Sequence, residues 1–193
     1  MKVAILQYNA GNVLSVQNAF KRLGIAAEIT SDPDRLSSAD RVVFPGVGEA
    51  SSAMIFLKAH GLDRIIQNLQ QPLLGICLGL QLLCRHSEEN NTPCLDLLPV
   101  SIRRLQTALK VPHIGWNKIN RLKGPLFKGI PEGSFVYFVH SYCAEISSDT
   151  VAETSYEQNF SAALSRRNFF AVQFHPEKSG PIGEAILSNF LAL

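Results

Sequence analysis

The stretch Gly75-Ile76-Cys77-Leu78-Gly79-Leu80-Gln81 places a cysteine between two glycines, after an apolar run and before a run with helical periodicity. This is a Gly-x-Cys-x-Gly form of the nucleophile elbow, a tight strand-to-helix turn that presents a reactive side chain at the end of a sheet. The glycines permit the turn and let neighbouring backbone pass close to the cysteine. The stretch therefore predicts that Cys77 is a nucleophile.

On both sides of the elbow, the first half of the chain alternates apolar runs with helical patterns. Such alternation predicts an α/β fold, with a mostly parallel doubly wound sheet and helices on both faces. In these sheets the chemistry lies at the carboxyl ends of the strands. The predicted strands are Lys2–Gln7, Ala26–Thr30, Arg41–Phe44 and Pro72–Ile76, and the predicted helices are Asn12–Leu23, Glu49–Leu57, Leu62–Asn68 and Leu78–Arg85.

The second half changes character, because short strand-like segments there are separated by Gly, Pro and Ser clusters. This pattern predicts an antiparallel section appended to the same core, followed by a closing helix over Ile182–Leu193. No linker or repeat interrupts the chain, so we expect a single domain over residues 1–193. The predicted strands are Ser101–Leu105, His113–Ile119, Phe135–His140, Val151–Glu153, Ser161–Ser165 and Phe169–Phe174.

The composition excludes several function classes. The net charge is only +2 and the basic residues are scattered, which argues against a nucleic-acid or membrane-surface partner. The apolar runs are too short for a secretory signal or a membrane span. The cysteines form no CxxC pair, so we expect reduced thiols and a cytoplasmic protein. The spacing of Cys77 and Cys84 matches no usual zinc pattern, and we expect no metal and no cofactor.

A second motif, His175-Pro176-Glu177, ends the apolar run Phe169–Phe174. In an extended segment residues two apart project to the same side, so His175 and Glu177 are expected to lie together. A carboxylate beside an imidazole fixes its tautomer and stabilises the imidazolium formed during proton transfer. We therefore predict a triad of Cys77 as nucleophile, His175 as base and acid, and Glu177 as the residue that orients the imidazole.

A third motif, Phe44-Pro45-Gly46-Val47-Gly48, is another predicted strand that ends in a glycine-rich turn. We expect the main-chain N–H groups of Val47 and Gly48, with that of Leu78, to form an oxyanion hole.

Other conspicuous residues keep more than one interpretation. Cys84 lies seven residues after Cys77 on the predicted helix and is expected to pack in the core, whereas Cys94 and Cys143 have no assigned role. The ambiguous residues are His113 and His140, which are core histidines or neighbours of the site, and Trp116, which is a core or an interface residue.

With these motifs the chain resembles the class I glutamine amidotransferases over essentially its whole length. Within that family it is most similar to the glutaminase subunits of imidazole glycerol phosphate synthases, which act in histidine biosynthesis. The segments that carry the resemblance are Pro45–Gly48, Cys77–Leu83, Pro112–Asn117, His140–Tyr142 and Phe174–Gly180.

The resemblance implies that Cys77 attacks the side-chain amide of glutamine, releasing ammonia and leaving a thioester that water hydrolyses. It also implies that ammonia passes to a (βα)₈ cyclase subunit, the partner in a heterodimer, which makes imidazole glycerol phosphate and an aminoimidazole carboxamide ribonucleotide. The positions matched to glutamine binding are Gly46, Gln81, Glu89, Ser141 and Tyr142, and those matched to the cyclase interface are Asn12, Trp116, Tyr137 and Lys178.

Three alternatives remain open at this point. The chain could serve another synthase, such as pyridoxal phosphate synthase or anthranilate synthase. It could be a catalytically silent binding subunit that has kept the fold, although all three triad residue types are present. It could also be a peptidase or thiol hydrolase on the same type of fold.

Overall fold

The computed structural model describes residues 1–9 and 11–193. Within these residues, the centre of the molecule is a parallel array of strands whose interior members are almost entirely buried. Continuous apolar runs form such strands because both faces of a parallel sheet are covered by helices. The spatial order is β2 (Glu28–Thr30), β1 (Val3–Leu6), β3 (Arg41–Gly46), β4 (Leu73–Cys77) and β13 (Phe169–Val172).

Helices cover both faces of this array, which confirms the predicted α/β architecture. On one face lie α1 (Val13–Arg22) and α6 (Gly180–Leu191), where Phe20 and Phe190 join the same core cluster as Ile5 and Ile76. On the other face lie α2 (Pro33–Ser38), α3 (Ala50–Ala59), α4 (Leu62–Asn68) and α5 (Leu78–Leu83).

The antiparallel section also forms as expected. The strand pair β8 (His113–Ile119) and β9 (Ser134–His140) makes a separate antiparallel sheet. The other strands extend the main sheet beyond β13, mostly in antiparallel pairing, although β5 and β7 are parallel. They are β5 (Cys84–Ser87), β6 (Thr92–Pro93), β7 (Leu98–Arg104), β10 (Tyr142–Ala144), β11 (Thr150–Tyr156) and β12 (Gln158–Arg166).

The predicted helix over Leu78–Arg85 is too long. It ends at Leu83, and Cys84 begins β5, where it pairs with Leu98. The placing of Cys84 on the helix was therefore wrong, although its side chain is fully buried in the core as expected. The cause is long-range strand pairing, which the local periodicity does not report.

One helix was missed at the sequence level, although its signals are present. In α2, Asp32 caps the first turn by accepting hydrogen bonds from the N–H groups of Asp34 (2.9 Å) and Arg35 (3.3 Å), and Pro33 occupies the first position. Both are common features of a helix N-terminus. In the described part of the chain, none of the helices has the length and apolar character needed to cross a membrane.

Candidate active site

Cys77 lies at the junction of β4 and α5 with φ 55° and ψ −106°. A residue other than glycine in this φ/ψ region costs about 1–3 kcal/mol, and the conformation persists only where the surrounding structure enforces it. The two flanking glycines provide that constraint. A Cβ on Gly75 would lie 2.9 Å from the main-chain carbon of Gly79, and a Cβ on Gly79 would collide with the carbonyl oxygen of Phe44. The Gly-x-Cys-x-Gly spacing thus lets α5 pack directly on the ends of β3 and β4.

The thiol of Cys77 is buried beside polar groups of the β9 and β13 ends. Its Sγ lies 3.7 Å from the carbonyl oxygen of Val139 and 3.7 Å from Nε2 of Gln173. The register of the sheet also sets Cys77 beside Gly46 at the end of β3. Cys77 is therefore at the carboxyl ends of the parallel strands, where the sequence predicts it.

His175 and Glu177 lie side by side, with His175 Nδ1 2.8 Å from Oε1 of Glu177. The segment between them is not extended, because Pro176–Lys178 forms a single turn of 3₁₀ helix. His175 and Glu177 lie together as predicted, but the prediction that the backbone between them is extended was wrong. The main chain of His175 is held by its N–H donating to Tyr137 O at 2.9 Å and its carbonyl accepting from Ser179 Oγ at 2.6 Å.

The imidazole of His175 is influenced by both Cys77 and Glu177. Burial acts to lower the pKa of His175, but the interactions with Cys77 and Glu177 outweigh it and raise that pKa to about 10. A protonated histidine stabilises a neighbouring thiolate, which is the nucleophilic form of cysteine. The structure therefore brings the three predicted triad residues close together.

Asn12 also contacts the triad carboxylate. Its Nδ2 donates a hydrogen bond to Oε1 of Glu177 at 2.5 Å, so one carboxylate oxygen is shared by Asn12 and His175. Asn12 precedes α1 in a left-handed conformation with φ 79°, and its side chain caps no helical N–H. The family resemblance matches Asn12 only to the partner interface. The contact seen here shows that Asn12 also holds the carboxylate of Glu177 in place.

We expect Asn12→Gly to lower the turnover number for glutamine by about 10- to 100-fold, since a hydrogen bond to a charged group contributes about 1.5–3 kcal/mol. Glycine keeps the left-handed backbone and removes only the amide. The measurement is glutamine hydrolysis as a function of pH, because a misplaced Glu177 changes the ionisation of His175. Asn18→Ala, on an exposed position of the same helix, is the control, and equal rates in both variants would contradict the assignment.

A cavity of about 230 Å³ opens beside Cys77. It brings together most of the predicted oxyanion and substrate residues, but Gly46 does not line it and lies in β3 behind the thiol. In the described residues no group of three or more His, Cys, Asp or Glu side chains is arranged to hold a metal ion. The cavity is lined by Val47, Gly48, Cys77, Leu78, Gln81, Glu89, Pro112, Val139, His140, Ser141 and Tyr142.

The polar side chains Gln81 and Glu89 of the cavity are held by main-chain groups and by one side chain. Gln81 Nε2 donates to Tyr142 O at 3.1 Å and to Gln173 Oε1 at 3.2 Å, and Glu89 Oε2 accepts from the N–H of Ala50 at 2.8 Å. Gln173 was not identified from the sequence, although a glutamine inside an otherwise apolar strand run was the available signal.

None of the four predicted interface residues lines the cavity. Trp116 is 55% exposed, and its ring contacts Tyr137 edge-on with centroids 5.9 Å apart, across the β8–β9 pair. Lys178 is exposed at the end of the turn that carries Glu177. Trp116 is thus a surface residue, which excludes the core interpretation and leaves its place in an interface as a prediction.

His113 and His140 form a buried pair at the wall of the cavity. His140 Nδ1 is 2.9 Å from Tyr142 O, a carbonyl that only accepts, so this nitrogen carries the proton. His140 Nε2 then accepts from His113 Nδ1 at 3.0 Å. Burial lowers the pKa of His113 to about 4 and that of His140 to about 3, and both rings are neutral at pH 7.

The same burial makes the fold sensitive to acid. A histidine whose pKa is lowered on folding contributes stability above its unfolded value, near 6.5, and loses it as pH falls toward the folded value. From pH 6.5 to 4.5 we expect each ring to lower the free energy of unfolding by about 1 kcal/mol per pH unit. Urea unfolding of the wild type and of His113→Phe should show a shallower pH dependence in the variant, and equal slopes would contradict this prediction.

Comparison with known proteins places these observations in a family. Residues 5–193 match the family described as glutamine amidotransferase class-I. The chain is 56% identical over 196 residues to the imidazole glycerol phosphate synthase subunit HisH of Bacteroides fragilis (strain YCH46), with 100% of both chains covered. It is 46% identical over 193 residues to the subunit of the same name from Haemophilus influenzae, covering 99% of this chain and 97% of that one.

Solved structures agree at the level of the fold. A crystal structure of a glutamine amidotransferase superposes with a TM-score of 0.78 at 18% identity, covering 100% of this chain and 98% of that one. A crystal structure of a glutamine amidotransferase from Thermotoga maritima gives a TM-score of 0.67 at 18% identity, covering 100% and 83%. Because residues 5–193 match the family and a relative of 56% identity covers the whole chain, the chain belongs to the class I glutamine amidotransferases.

Proposed function

We propose that this chain is the glutaminase subunit of an imidazole glycerol phosphate synthase, acting in the cytoplasm as a single domain over residues 1–193. It hydrolyses glutamine to glutamate and ammonia and delivers the ammonia to a (βα)₈ cyclase subunit. The observation that carries the proposal is the grouping of Cys77, which lines the cavity, with the hydrogen-bonded pair His175 and Glu177, in a chain that matches HisH subunits over its full length.

In the first half of the reaction, the Cys77 thiolate attacks the side-chain carbonyl carbon of glutamine and a C–S bond forms. The carbonyl oxygen becomes an oxyanion. His175 then donates its proton to the amide nitrogen, the C–N bond breaks and ammonia leaves the γ-glutamyl thioester. The raised pKa of His175 keeps that proton available, and Glu177 stabilises the imidazolium until the proton is transferred.

In the second half, water replaces ammonia. His175 removes a proton from the water, which attacks the thioester carbon, and collapse of the second tetrahedral intermediate releases glutamate and the Cys77 thiolate. The main-chain N–H of Leu78 and the Val47–Gly48 turn, which line the cavity with Cys77, are the proposed oxyanion donors. Gln81, Glu89 and the wall at residues 141–142 are proposed to hold the amino-acid end of the substrate.

The proposed cyclase face is the outer side of the β8–β9 pair. Three large apolar side chains there, Ile114, Trp116 and Phe135, are each at least half exposed. An exposed group of this kind marks an interaction surface. Tyr137 connects this face to the triad, because its carbonyl accepts from His175 N–H (2.9 Å) and its N–H donates to Ser179 Oγ (3.0 Å).

The test is ammonia release from glutamine by the chain alone and by its complex with the cyclase subunit carrying the cyclase ligand. Because ammonia released without an acceptor is wasted, we expect the oxyanion turn to be completed only in the complex. One missing oxyanion donor lowers turnover by about 10²–10³-fold, and we expect stimulation of that order. High glutaminase activity of the isolated chain would contradict this coupling. An inactive complex would favour a silent subunit, and cleavage of esters or peptides instead of glutamine would favour a thiol hydrolase.

A further inference from the structure

The hydroxyl of Tyr8 is buried beside the proposed active site and has no hydrogen-bond partner among the described residues. Tyr8 follows β1 at the carboxyl edge of the sheet, and its side chain is almost fully buried. Its ring packs on Phe44 with centroids 5.3 Å apart, so the hydroxyl is held in place. Buried tyrosine hydroxyls usually have a partner, so an unpaired one needs an explanation.

The position of this hydroxyl is defined by Gly46. A Cβ on Gly46 would collide with the Tyr8 hydroxyl and would lie 3.2 Å from Cβ of Leu78. The hydroxyl is therefore in contact with the residue that leads into the proposed oxyanion turn. Burial, and secondarily the charge of Cys77, raises the pKa of Tyr8, so the hydroxyl keeps its proton and acts as a donor.

The peptide group that joins Gly46 to Val47 links the Tyr8 hydroxyl to the proposed oxyanion hole. A trans peptide is planar, and its N–H and C=O point in opposite directions. When the Val47 N–H turns toward an oxyanion on Cys77, the Gly46 carbonyl must turn away from the cavity. The unpaired Tyr8 hydroxyl lies where a Cβ on Gly46 would be, and neither Gly46 nor Tyr8 lines the cavity.

We propose that Tyr8 is a positioning residue for the oxyanion turn, and that its hydroxyl donates a hydrogen bond to the Gly46 carbonyl when the Val47 N–H faces the reacting oxygen. The inference rests on the proposed glutaminase function and goes beyond it by assigning the residue that holds the turn in its active arrangement. It also explains the glycine at position 46, since any larger residue would displace the hydroxyl from this site.

The test is Tyr8→Phe in the complex with the cyclase subunit, at saturating and limiting glutamine. Loss of one hydrogen bond that forms only with the oxyanion lowers kcat by about tenfold and leaves KM for glutamine within about twofold. The isolated variant should melt no lower than the wild type, because the hydroxyl has no partner to lose. Tyr156→Phe is the matched control: its hydroxyl donates to Lys110 O at 2.9 Å, and its removal should leave kcat unchanged.

Each other outcome overturns the inference. A kcat within twofold of the wild type makes Tyr8 a packing residue, and a raised KM at unchanged kcat moves its role to substrate binding. A lower melting temperature of Tyr8→Phe shows that the hydroxyl is already paired in the resting fold. A wild-type complex that does not hydrolyse glutamine overturns the proposed function, and the role of Tyr8 with it. By contrast, an active wild type with an unaffected variant overturns the role of Tyr8 alone.

Discussion

Replacement of Cys77 by alanine will stop glutamine hydrolysis by the complex, with a loss of about 10⁴-fold or more. The thiol is the only group at the elbow able to form the covalent bond to substrate. Removing a nucleophile from a triad costs nearly as much as removing the whole triad, because its members act as one unit. The measurement is ammonia release from glutamine, together with mass mapping after treatment with a glutamine-mimicking diazo ketone, which should label residue 77 in the wild type and not in the variant.

Two controls separate this loss from damage to the fold or to the partner. Cys94→Ala removes a partly exposed thiol and should keep the activity of the wild type. The Cys77→Ala complex supplied with ammonium salt should still make the cyclase products, because only the source of ammonia is lost. Glutamine hydrolysis at the wild-type rate in Cys77→Ala would remove the thiol from the mechanism.

Replacement of Gly79 by alanine should strongly lower the free energy of unfolding. The added Cβ would collide with the carbonyl oxygen of Phe44, which is main chain in a buried strand and has no freedom to move aside. Forced contacts of this kind cost typically 1–3 kcal/mol, and with a rigid partner we expect about 3 kcal/mol. The measurement is the free energy of unfolding in urea, and glutaminase activity should fall with it because α5 is displaced from Cys77.

The matched control for this prediction is Gly11→Ala. A Cβ on Gly11 would meet only Val47 Cγ2 at 3.5 Å, an ordinary contact. Its free energy of unfolding should stay within about 0.5 kcal/mol of the wild type. If Gly79→Ala behaves in the same way, the close approach of α5 to β3 does not constrain the elbow.

The parallel core and the elbow were predictable because their signals are local. Continuous apolar runs define β1, β3 and β4, and glycines at residues 75 and 79 define the turn between β4 and α5. The end of α5 was not predictable in this way. The residues around Cys84 suit a helix as well as a strand, and pairing with Leu98, fourteen residues later, decides for the strand.

The same distinction between local and long-range signals holds for the site. The three triad residue types were identified from short motifs, and their catalytic roles remain predictions. Three contacts around them were not predicted, because no motif reports a contact across the fold. Asn12 contacts Glu177 across 165 residues of sequence, Gln173 approaches Cys77 across 96, and Tyr8 meets Gly46 only through the adjacency of β1 and β3.

The position of β13 in the sheet has a consequence for biosynthesis. This strand is made after all the other strands named above, yet it pairs directly with β4, and the turn that follows it carries both His175 and Glu177. A nascent chain that has already formed the parallel strands up to β4 still lacks the proposed base for its thiol. We therefore expect a product truncated before residue 175 to release no ammonia from glutamine.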